Sequence, residues 1–122
     1  LVTTGDFLPT IAEPAGLAAF ENTDGISFRQ QRQGTPAAPR EWIYSWYSPR
    51  IPAKGPRPIA ESVFDGRFKR YRSGELYDVA ADPEEAKPLD EQTLDQAAKH
   101  AVAGIDEALR SFAAARPARL KE

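Results

Sequence analysis

The sequence predicts an α+β fold in which a four-stranded antiparallel sheet packs against a long C-terminal helix. A short helix and loops precede the sheet. Two observations indicate this fold. Short stretches rich in aromatic and β-branched residues follow one another between residues 41 and 79, separated by turn signals. An apolar stripe at helical spacing then runs from residue 94 to residue 112.

The first predicted element is a helix of about two turns within residues 5–16, "GDFLPTIAEPAG". Asp6 is a candidate N-cap, and Pro14 with Gly16 ends the helix. One face of it is apolar and consists of Phe7, Leu8 and Ile11. A helix this short is marginal by itself, so it must pack on another part of the protein.

Residues 17–40 read as loops with one helical turn at most, and "TPAAPR" has the composition of a linker. We therefore predict two parts, residues 1–40 and residues 41–122. The proline-rich stretch 48–58 is predicted to be an exposed connection.

The clearest strand is "EWIYSWY", residues 41–47, with Trp42, Tyr44 and Trp46 on one face. Three more strands are predicted over residues 59–64, 67–72 and 75–79. Two-residue turns at Asp65-Gly66 and Ser73-Gly74 join them. Phe68 and Tyr71 fall on opposite faces of a regular strand, so either a bulge is present or both faces are partly covered.

The last predicted element is an amphipathic helix of about 20 residues that ends at Pro117 and covers the sheet. Thr93 and Gln96 fit a capping box at its start. The acidic lead-in suits the positive end of the helix dipole. Its members are Asp82, Glu84, Glu85, Asp90, Glu91 and Asp95. The apolar stripe comprises Leu94, Ala98, Ala101, Ile105, Ala108, Leu109 and Phe112.

Composition excludes several kinds of chemistry. The chain has 122 residues, a net charge of −2 and no cysteine, so a thiol nucleophile or a zinc–thiolate site is not available. His100 is the single imidazole and lies beside the apolar stripe, which favours an exposed or structural role. The chain also lacks methionine, and we interpret it as the tail of a longer protein.

Two stretches are candidates for binding. The strand "RFKRYR" interleaves cations and rings, as binders of single-stranded nucleic acid do. Alternation divides its charges between two faces, so we expect a solvated edge or hairpin strand with its cations toward water. Trp46 and Tyr47 at a strand end, with Arg50 on the next loop, are predicted to line a cleft for a sugar or an anionic group.

Three stretches together resemble the C-terminal part of sulfatases. "VTTGDFLPTIAEPAG" and "DGISF" resemble the end of the catalytic domain, where Asp and Pro-Thr lie in a short helix before Asp-Gly-x-Ser. "REWIYSWYSPR" and "FDGRFKRYRSGELYDVAADPEEAKPL" resemble the C-terminal subdomain. "ELYDVAADPEE" is the most specific part, and the Trp-Tyr strand looks most like bacterial arylsulfatase-A-type enzymes. Pro14 and Glu61 depart from the family pattern.

The resemblance implies a function. Residues 1–40 would end the α/β catalytic domain of an alkaline-phosphatase-like enzyme, and residues 41–122 would form its C-terminal subdomain. The parent would be a sulfuric ester hydrolase acting on a carbohydrate or aryl sulfate, with formylglycine and calcium as cofactors. No catalytic or metal residue carries over to this chain, so we predict that it is inactive alone and holds no cofactor.

The resemblance also implies the partners and the location. The partners would be the missing catalytic domain and a sulfate ester, with no nucleic acid or membrane, and the location periplasmic or secreted. Two alternatives remain. One is a standalone carbohydrate- or nucleic-acid-binding module that uses the aromatic and basic strands. The other is a structural interaction domain with one large apolar surface.

Overall fold

A computed structural model describes residues 1–17, 23–35, 38, 40–47 and 60–115. The chain divides into two compact units, Leu1–Glu41 and Trp42–Glu122. The sequence places the boundary after residue 40. That these units are the end of a catalytic domain and a C-terminal subdomain stays a prediction.

The first unit contains two short helices, α1 (Phe7–Ala12) and α2 (Arg29–Arg32). A 3₁₀ turn, Thr4–Asp6, leads into α1. Gly16 ends the α1 segment with a φ of 69°, and the Leu17 amide donates to the Ala12 carbonyl at 3.1 Å. This is the expected stop, because glycine adopts the left-handed conformation that closes a helix without a Cβ penalty.

The predicted capping role of Asp6 is wrong. Its side chain caps no amide of α1 but turns back to the Thr3 amide, with a distance of 2.7 Å from N to Oδ2. The 3₁₀ turn before α1 moves Asp6 into helical backbone, where a side chain cannot reach the following amides as a true N-cap does.

The second unit is an antiparallel sheet in the order β1-β2-β3-β4. Its strands are β1 (Ile43–Tyr47), β2 (Ala60–Phe64), β3 (Phe68–Tyr71) and β4 (Leu76–Asp78). The four predicted strands are confirmed, each somewhat shorter than expected. β3 is an inner strand of the sheet, so the prediction of an edge strand is wrong, whereas the prediction of a hairpin strand is confirmed.

The turn between β2 and β3 lies one residue later than predicted, at Gly66-Arg67. Asp65 pairs with Phe68, and its amide donates to the Phe68 carbonyl at 3.1 Å. The Asp65 carboxylate accepts from the Arg67 and Phe68 amides at 2.8 and 2.7 Å. An aspartate placed just before a turn uses its side chain in this way, which leaves Gly66 to adopt its φ of 105°.

The turn between β3 and β4 has three residues, Arg72–Gly74, where the sequence predicts two. The Tyr71 amide donates to the Glu75 carbonyl at 2.9 Å, and Gly74 has a φ of 114°. A three-residue hairpin loop with glycine in a positive-φ position is a common alternative to the two-residue loop.

Helix α3 (Gln96–Ser111) covers one face of the sheet. Asp95 is its N-cap and accepts from the Ala98 amide at 2.7 Å, so the predicted capping box of Thr93 and Gln96 is wrong. A 3₁₀ turn, Glu91–Thr93, occupies that stretch and is capped by Asp90. The helix has 16 residues, and Pro117 lies outside the described part of the chain.

The core lies between α3 and the sheet. Ile105 and Leu76 are almost fully buried, and burial of side chains this size stabilises a fold by about 1.5–3 kcal/mol each. Val102 joins the core although the predicted stripe omits it. Phe112 extends it by stacking on Tyr44, with ring centroids 4.1 Å apart. The buried cluster is Val63, Phe68, Leu76, Ala98, Val102, Ile105, Ala108 and Leu109.

The two sheet faces are both partly covered, and β3 pairs regularly with its neighbours. Phe68 is buried toward α3, whereas Tyr71 lies half-buried on the opposite face. Of the two explanations for their spacing, partial covering of both faces is therefore the correct one.

Candidate functional site

The first unit is organised around the buried carboxylate of Asp6. Its oxygens accept from the Thr3 amide at 2.7 Å and from the Ile26 amide at 2.8 Å. The Arg40 guanidinium binds both oxygens and also donates to the Asp24 carbonyl at 3.0 Å. These bonds join segments 20 and 34 residues apart in sequence.

The surroundings of Asp6 hold it ionised. Burial acts to raise the pKa of this carboxyl, but hydrogen bonds from Arg40, Ile26 and Thr3 outweigh burial and lower the pKa from 3.8 to about 2. A carboxylate whose lone pairs are taken in this way is a structural anchor and a poor base. Asp6 therefore fixes loop geometry and is not available for proton transfer near neutral pH.

The cations of the basic hairpin strand are each paired with an acidic residue of the same unit. Arg67 is the most exposed of them and reaches Asp78, with 2.8 Å between Nη2 and Oδ2. The Asp78 hydrogen bond raises the pKa of Arg67, and the same bond lowers the pKa of Asp78. The remaining three cations, Lys69, Arg70 and Arg72, have acidic partners as well.

Arg70 is the cation that departs most from prediction, because it is buried. It lies on the same sheet face as Phe68 and points toward α3. Its Nε donates to Asp106 Oδ1 at 2.8 Å, and its Nη1 donates to Glu91 Oε1 at 2.7 Å and to the Gly74 carbonyl at 2.8 Å. The expectation that the strand's cations face water is therefore wrong for Arg70.

Glu61, which is buried, pairs beside α3 with Arg72, which is partly exposed. Glu61 is 4% exposed, is in contact with the Arg72 guanidinium and accepts from the Tyr44 hydroxyl at 2.9 Å. Arg72 also donates from Nη2 to the Leu109 carbonyl at 2.9 Å, near the end of α3. The pair thus ties β1, β2 and the turn after β3 to the C-terminal end of the helix, and gives Glu61 a structural role.

The opposite sheet face carries a third cluster. Lys69 Nζ lies 2.6 Å from Glu85 Oε1, and the Tyr71 hydroxyl donates to Glu85 Oε2 at 2.6 Å. Glu85 is held with a φ of 53°, which is unusual for a residue other than glycine. The Tyr71 ring also makes an edge contact with Tyr77 at 5.9 Å.

The pKa shifts of Lys69, Glu85 and Tyr71 do not favour acid–base catalysis at neutral pH. Burial acts to lower the pKa of Lys69, yet its hydrogen bond to Glu85 makes the net shift upward. Burial acts to raise the pKa of Glu85, but hydrogen bonds from Lys69 and Tyr71 lower it overall. Burial and the bond to Glu85 raise the pKa of Tyr71. At neutral pH the cluster is a charged pair with a neutral phenol, so it is not poised for proton transfer.

The predicted binding residues Trp46 and Tyr47 both lie at the exposed end of β1. Trp46 is 38% exposed and Tyr47 is 63% exposed. Trp46 pairs with Glu61 and Tyr47 with Ala60, so their side chains lie on opposite faces of the sheet. The structure does not bring the two rings together on one face. Arg50 lies outside the described residues, and the cleft that these three residues would line stays a prediction.

The structure also bears on a catalytic histidine, a metal site and a membrane span. His100 is exposed on α3. Among the described residues, no group of three or more His, Cys, Asp or Glu is arranged to hold a metal ion. Within the same ranges no helix has the length and apolar character needed to cross a bilayer.

Sequence reasoning missed the acidic partners of the buried cations. Asp106 follows the buried Ile105 and so lies at the border of the helix stripe, within reach of the sheet. Arg70 alternates with Phe68 on the core-facing side of β3. Arg70 and Asp106 each lie next to buried apolar residues, one on β3 and the other on α3. This pattern was the signal in the sequence that could have predicted the pair.

The fold is similar to part of a known structure. The crystal structure at 2.40 Å resolution of a protein from Bacteroides thetaiotaomicron VPI-5482, provisionally classed as a sulfatase, matches this chain with a TM-score of 0.63 and 25% identity. The match covers 88% of this chain and 23% of that protein. No protein-family model and no curated protein matches the sequence.

This similarity confirms the predicted resemblance to sulfatases and the α+β fold. Most of this chain has a counterpart in the sulfatase-like protein, whereas the chain spans less than a quarter of that protein's length. The chain is therefore similar to a small part of a much larger sulfatase-like protein.

Proposed function

We propose that this chain is the C-terminal part of a sulfatase and that it supports the catalytic domain without supplying catalytic residues. The observation that carries this proposal is the match over 88% of the chain to 23% of a sulfatase-like protein. An isolated module would be expected to match a protein or domain closer to its own size.

The side-chain chemistry supports a scaffold role. Asp6, Arg70 and Glu61 are buried charged residues, and each has an oppositely charged partner within its own unit. Buried charges that are paired and hydrogen-bonded fix the relative positions of elements. A catalytic group, in contrast, needs a free lone pair or a transferable proton aimed at a cleft.

The calcium and formylglycine of sulfatases would be held by the rest of the enzyme. The chain has no cysteine, none of its serines begins a Ser-x-Pro-x-Arg motif, and the described residues offer no cluster of metal ligands. The residues present do not fit either group, so we assign no step of sulfate ester hydrolysis to them.

Within this proposal the exposed end of β1, with Trp46 on one sheet face and Tyr47 on the other, borders the substrate cleft together with Arg50. An aromatic ring stacks on a sugar or aryl group, and an arginine binds a sulfate through directed hydrogen bonds. The substrate class is an aryl or carbohydrate sulfate. We place the enzyme in the periplasm or outside the cell, as its resemblance to bacterial arylsulfatases implies.

The test uses the longer protein encoded by the same gene. We expect it to carry a Cys/Ser-x-Pro-x-Arg motif upstream and to release sulfate from nitrophenyl sulfate. In that protein, Trp46→Ala should raise KM with a smaller change in kcat. The matched substitution Tyr77→Ala removes an aromatic residue of β4, away from the exposed end of β1, and should leave KM unchanged.

A gene without an upstream catalytic segment would contradict the proposal. Tight binding of the purified chain on a glycan array or in a gel shift, without a larger partner, would instead favour the binding module.

A further inference from the structure

Helix α1 exposes its largest apolar side chains. Phe7 is 53% exposed, Leu8 is 52% exposed and Ile11 is 65% exposed. The three lie within about 100° of one another around the helix axis, because positions i, i+1 and i+4 share one side. We call these three residues the α1 apolar face.

The positions on either side of this face are already packed. Thr10 and Ala12 are buried, and the Thr10 hydroxyl donates to the Asp6 carbonyl at 2.6 Å and accepts from the Phe28 amide at 3.0 Å. The helix therefore cannot rotate to bury its apolar face without breaking the bond between Thr10 and Phe28, which joins it to another segment. The buried side chains of α1, Thr10 and Ala12, are thus smaller than those of the exposed α1 apolar face.

The α1 apolar face is held in place rather than frayed. Asp6 fixes the residues before α1 through Thr3, Ile26 and Arg40. Phe7 also contacts Phe28 edge-on, with ring centroids 5.3 Å apart. A rigid apolar surface loses little conformational entropy when a partner covers it, so it is suited to permanent docking.

Exposed apolar residues are concentrated in the first unit. The second unit contributes only Trp46 and Tyr47 to the large apolar side chains exposed in the described part of the chain. Contiguous exposed patches of this kind mark interaction surfaces. The first unit contributes Leu1, Val2, Phe7, Leu8, Ile11, Leu17 and Ile26.

We propose that the α1 apolar face is the surface on which the rest of the sulfatase packs. This inference rests on the proposed function. It commits to one occupant, an apolar surface of the preceding catalytic segment of the same protein, because this chain accounts for only 23% of the length of the sulfatase-like structure. The helix sequence "FLPTIA" carries no charge, so its partner surface must be apolar.

Hydroxyl-radical footprinting read by mass spectrometry tests this proposal, because it reports the solvent accessibility of individual side chains. We expect Phe7, Leu8 and Ile11 to react several-fold less in the longer protein than in the purified 122-residue chain. His100, exposed on α3, serves as the internal control and should react equally in both.

Equal reactivity of the α1 apolar face in the two proteins, in a longer protein that hydrolyses sulfate esters, would overturn this inference while the proposed function stands. Protection of the face in the 122-residue chain itself, at the sedimentation mass of a dimer, would assign it to a second copy and also overturn it. A gene with no preceding segment would overturn both proposals.

A pair of substitutions provides a second, independent measurement. In the longer protein, Ile11→Glu should lower the melting temperature by several degrees, because it buries a charge in the interface. The matched variant Ala103→Glu places the same charge on an exposed helix position and should leave the melting temperature within about a degree. Equal effects of the two variants would contradict the docking role.

Discussion

The buried Arg70 on β3 forms an ion pair with the half-buried Asp106 on α3 across the sheet–helix interface, with 2.8 Å between Nε and Oδ1. Glu91, on the 3₁₀ turn before α3, is the second carboxylate bound to the same guanidinium at 2.7 Å. A single cation in the core thus joins a strand, a helix and the turn that leads into that helix.

This arrangement predicts that removing the two carboxylates destabilises the protein more than removing the arginine does. The double substitution Asp106→Ala with Glu91→Ala leaves a buried guanidinium without carboxylates and should cost about 3–5 kcal/mol. Arg70→Met removes the charge and keeps an apolar stem, so it should cost much less. Urea unfolding measures both free energies. A double variant no less stable than Arg70→Met would contradict this ion pair.

A second prediction concerns acid. The folded-state pKa of Asp6 is about 2, below its ordinary 3.8. Because the folded pKa is depressed, the stabilisation is fully present above about pH 4 and is lost as pH falls through about 2. The amide proton of Ile26, which is bonded to Asp6, should shift in NMR spectra with a midpoint near pH 2.

Asp6→Asn is the control for this titration. It should abolish the shift of the Ile26 amide and destabilise the first unit at neutral pH, because Arg40 then loses its carboxylate. A wild-type midpoint at the ordinary value for an aspartate would show that the Arg40 contact does not hold in solution.

A third prediction compares two glycines. A Cβ on Gly25 would overlap the carbonyl oxygen of Gly5, which the structure packs directly against it. Gly25→Ala should therefore destabilise the first unit by about 1–3 kcal/mol. Gly104 on α3 has open space at its Cβ position, so Gly104→Ala should stabilise the chain by about 0.5–1 kcal/mol. Thermal unfolding checks both, and the same sign for the two variants would refute the close approach of Gly5 and Gly25.

A fourth prediction uses the strained backbone of Glu85. Both Glu85→Ala and Glu85→Gly remove the bonds to Lys69 and Tyr71. Only glycine adopts a φ of 53° without a steric penalty, so the glycine variant should be more stable than the alanine variant by about 1 kcal/mol. Urea unfolding measures the difference, and an alanine variant of equal or greater stability would rule out the left-handed conformation.

Local patterns in the sequence were enough to predict most of the second unit. Alternation of apolar residues predicted the strands, and helical spacing predicted that Ala98, Ile105 and Leu109 pack on the sheet. These features depend on neighbours within a few residues, so one sequence contains the information. The turn and the helix cap lie one or two residues later than predicted, because the side chains of Asp65 and Asp95 accept from backbone amides two or three residues further along the chain.

Interactions between distant residues were beyond sequence reasoning. Arg70 binds Asp106, 36 residues away, and Arg40 binds Asp6, 34 residues away. The burial of these arginines depends on which carboxylate the fold brings opposite them, and neighbouring residues in the sequence do not determine that pairing. The candidate binding residues Trp46 and Tyr47 were placed correctly at a strand end, but whether they line a cleft depends on protein beyond the described residues.

Turnover of nitrophenyl sulfate by the purified 122-residue chain tests the central claim most directly. We predict no hydrolysis above the rate of buffer alone, because in the proposed function the catalytic residues belong to another part of the protein. Hydrolysis that disappears when one of the chain's own residues is substituted would contradict this account.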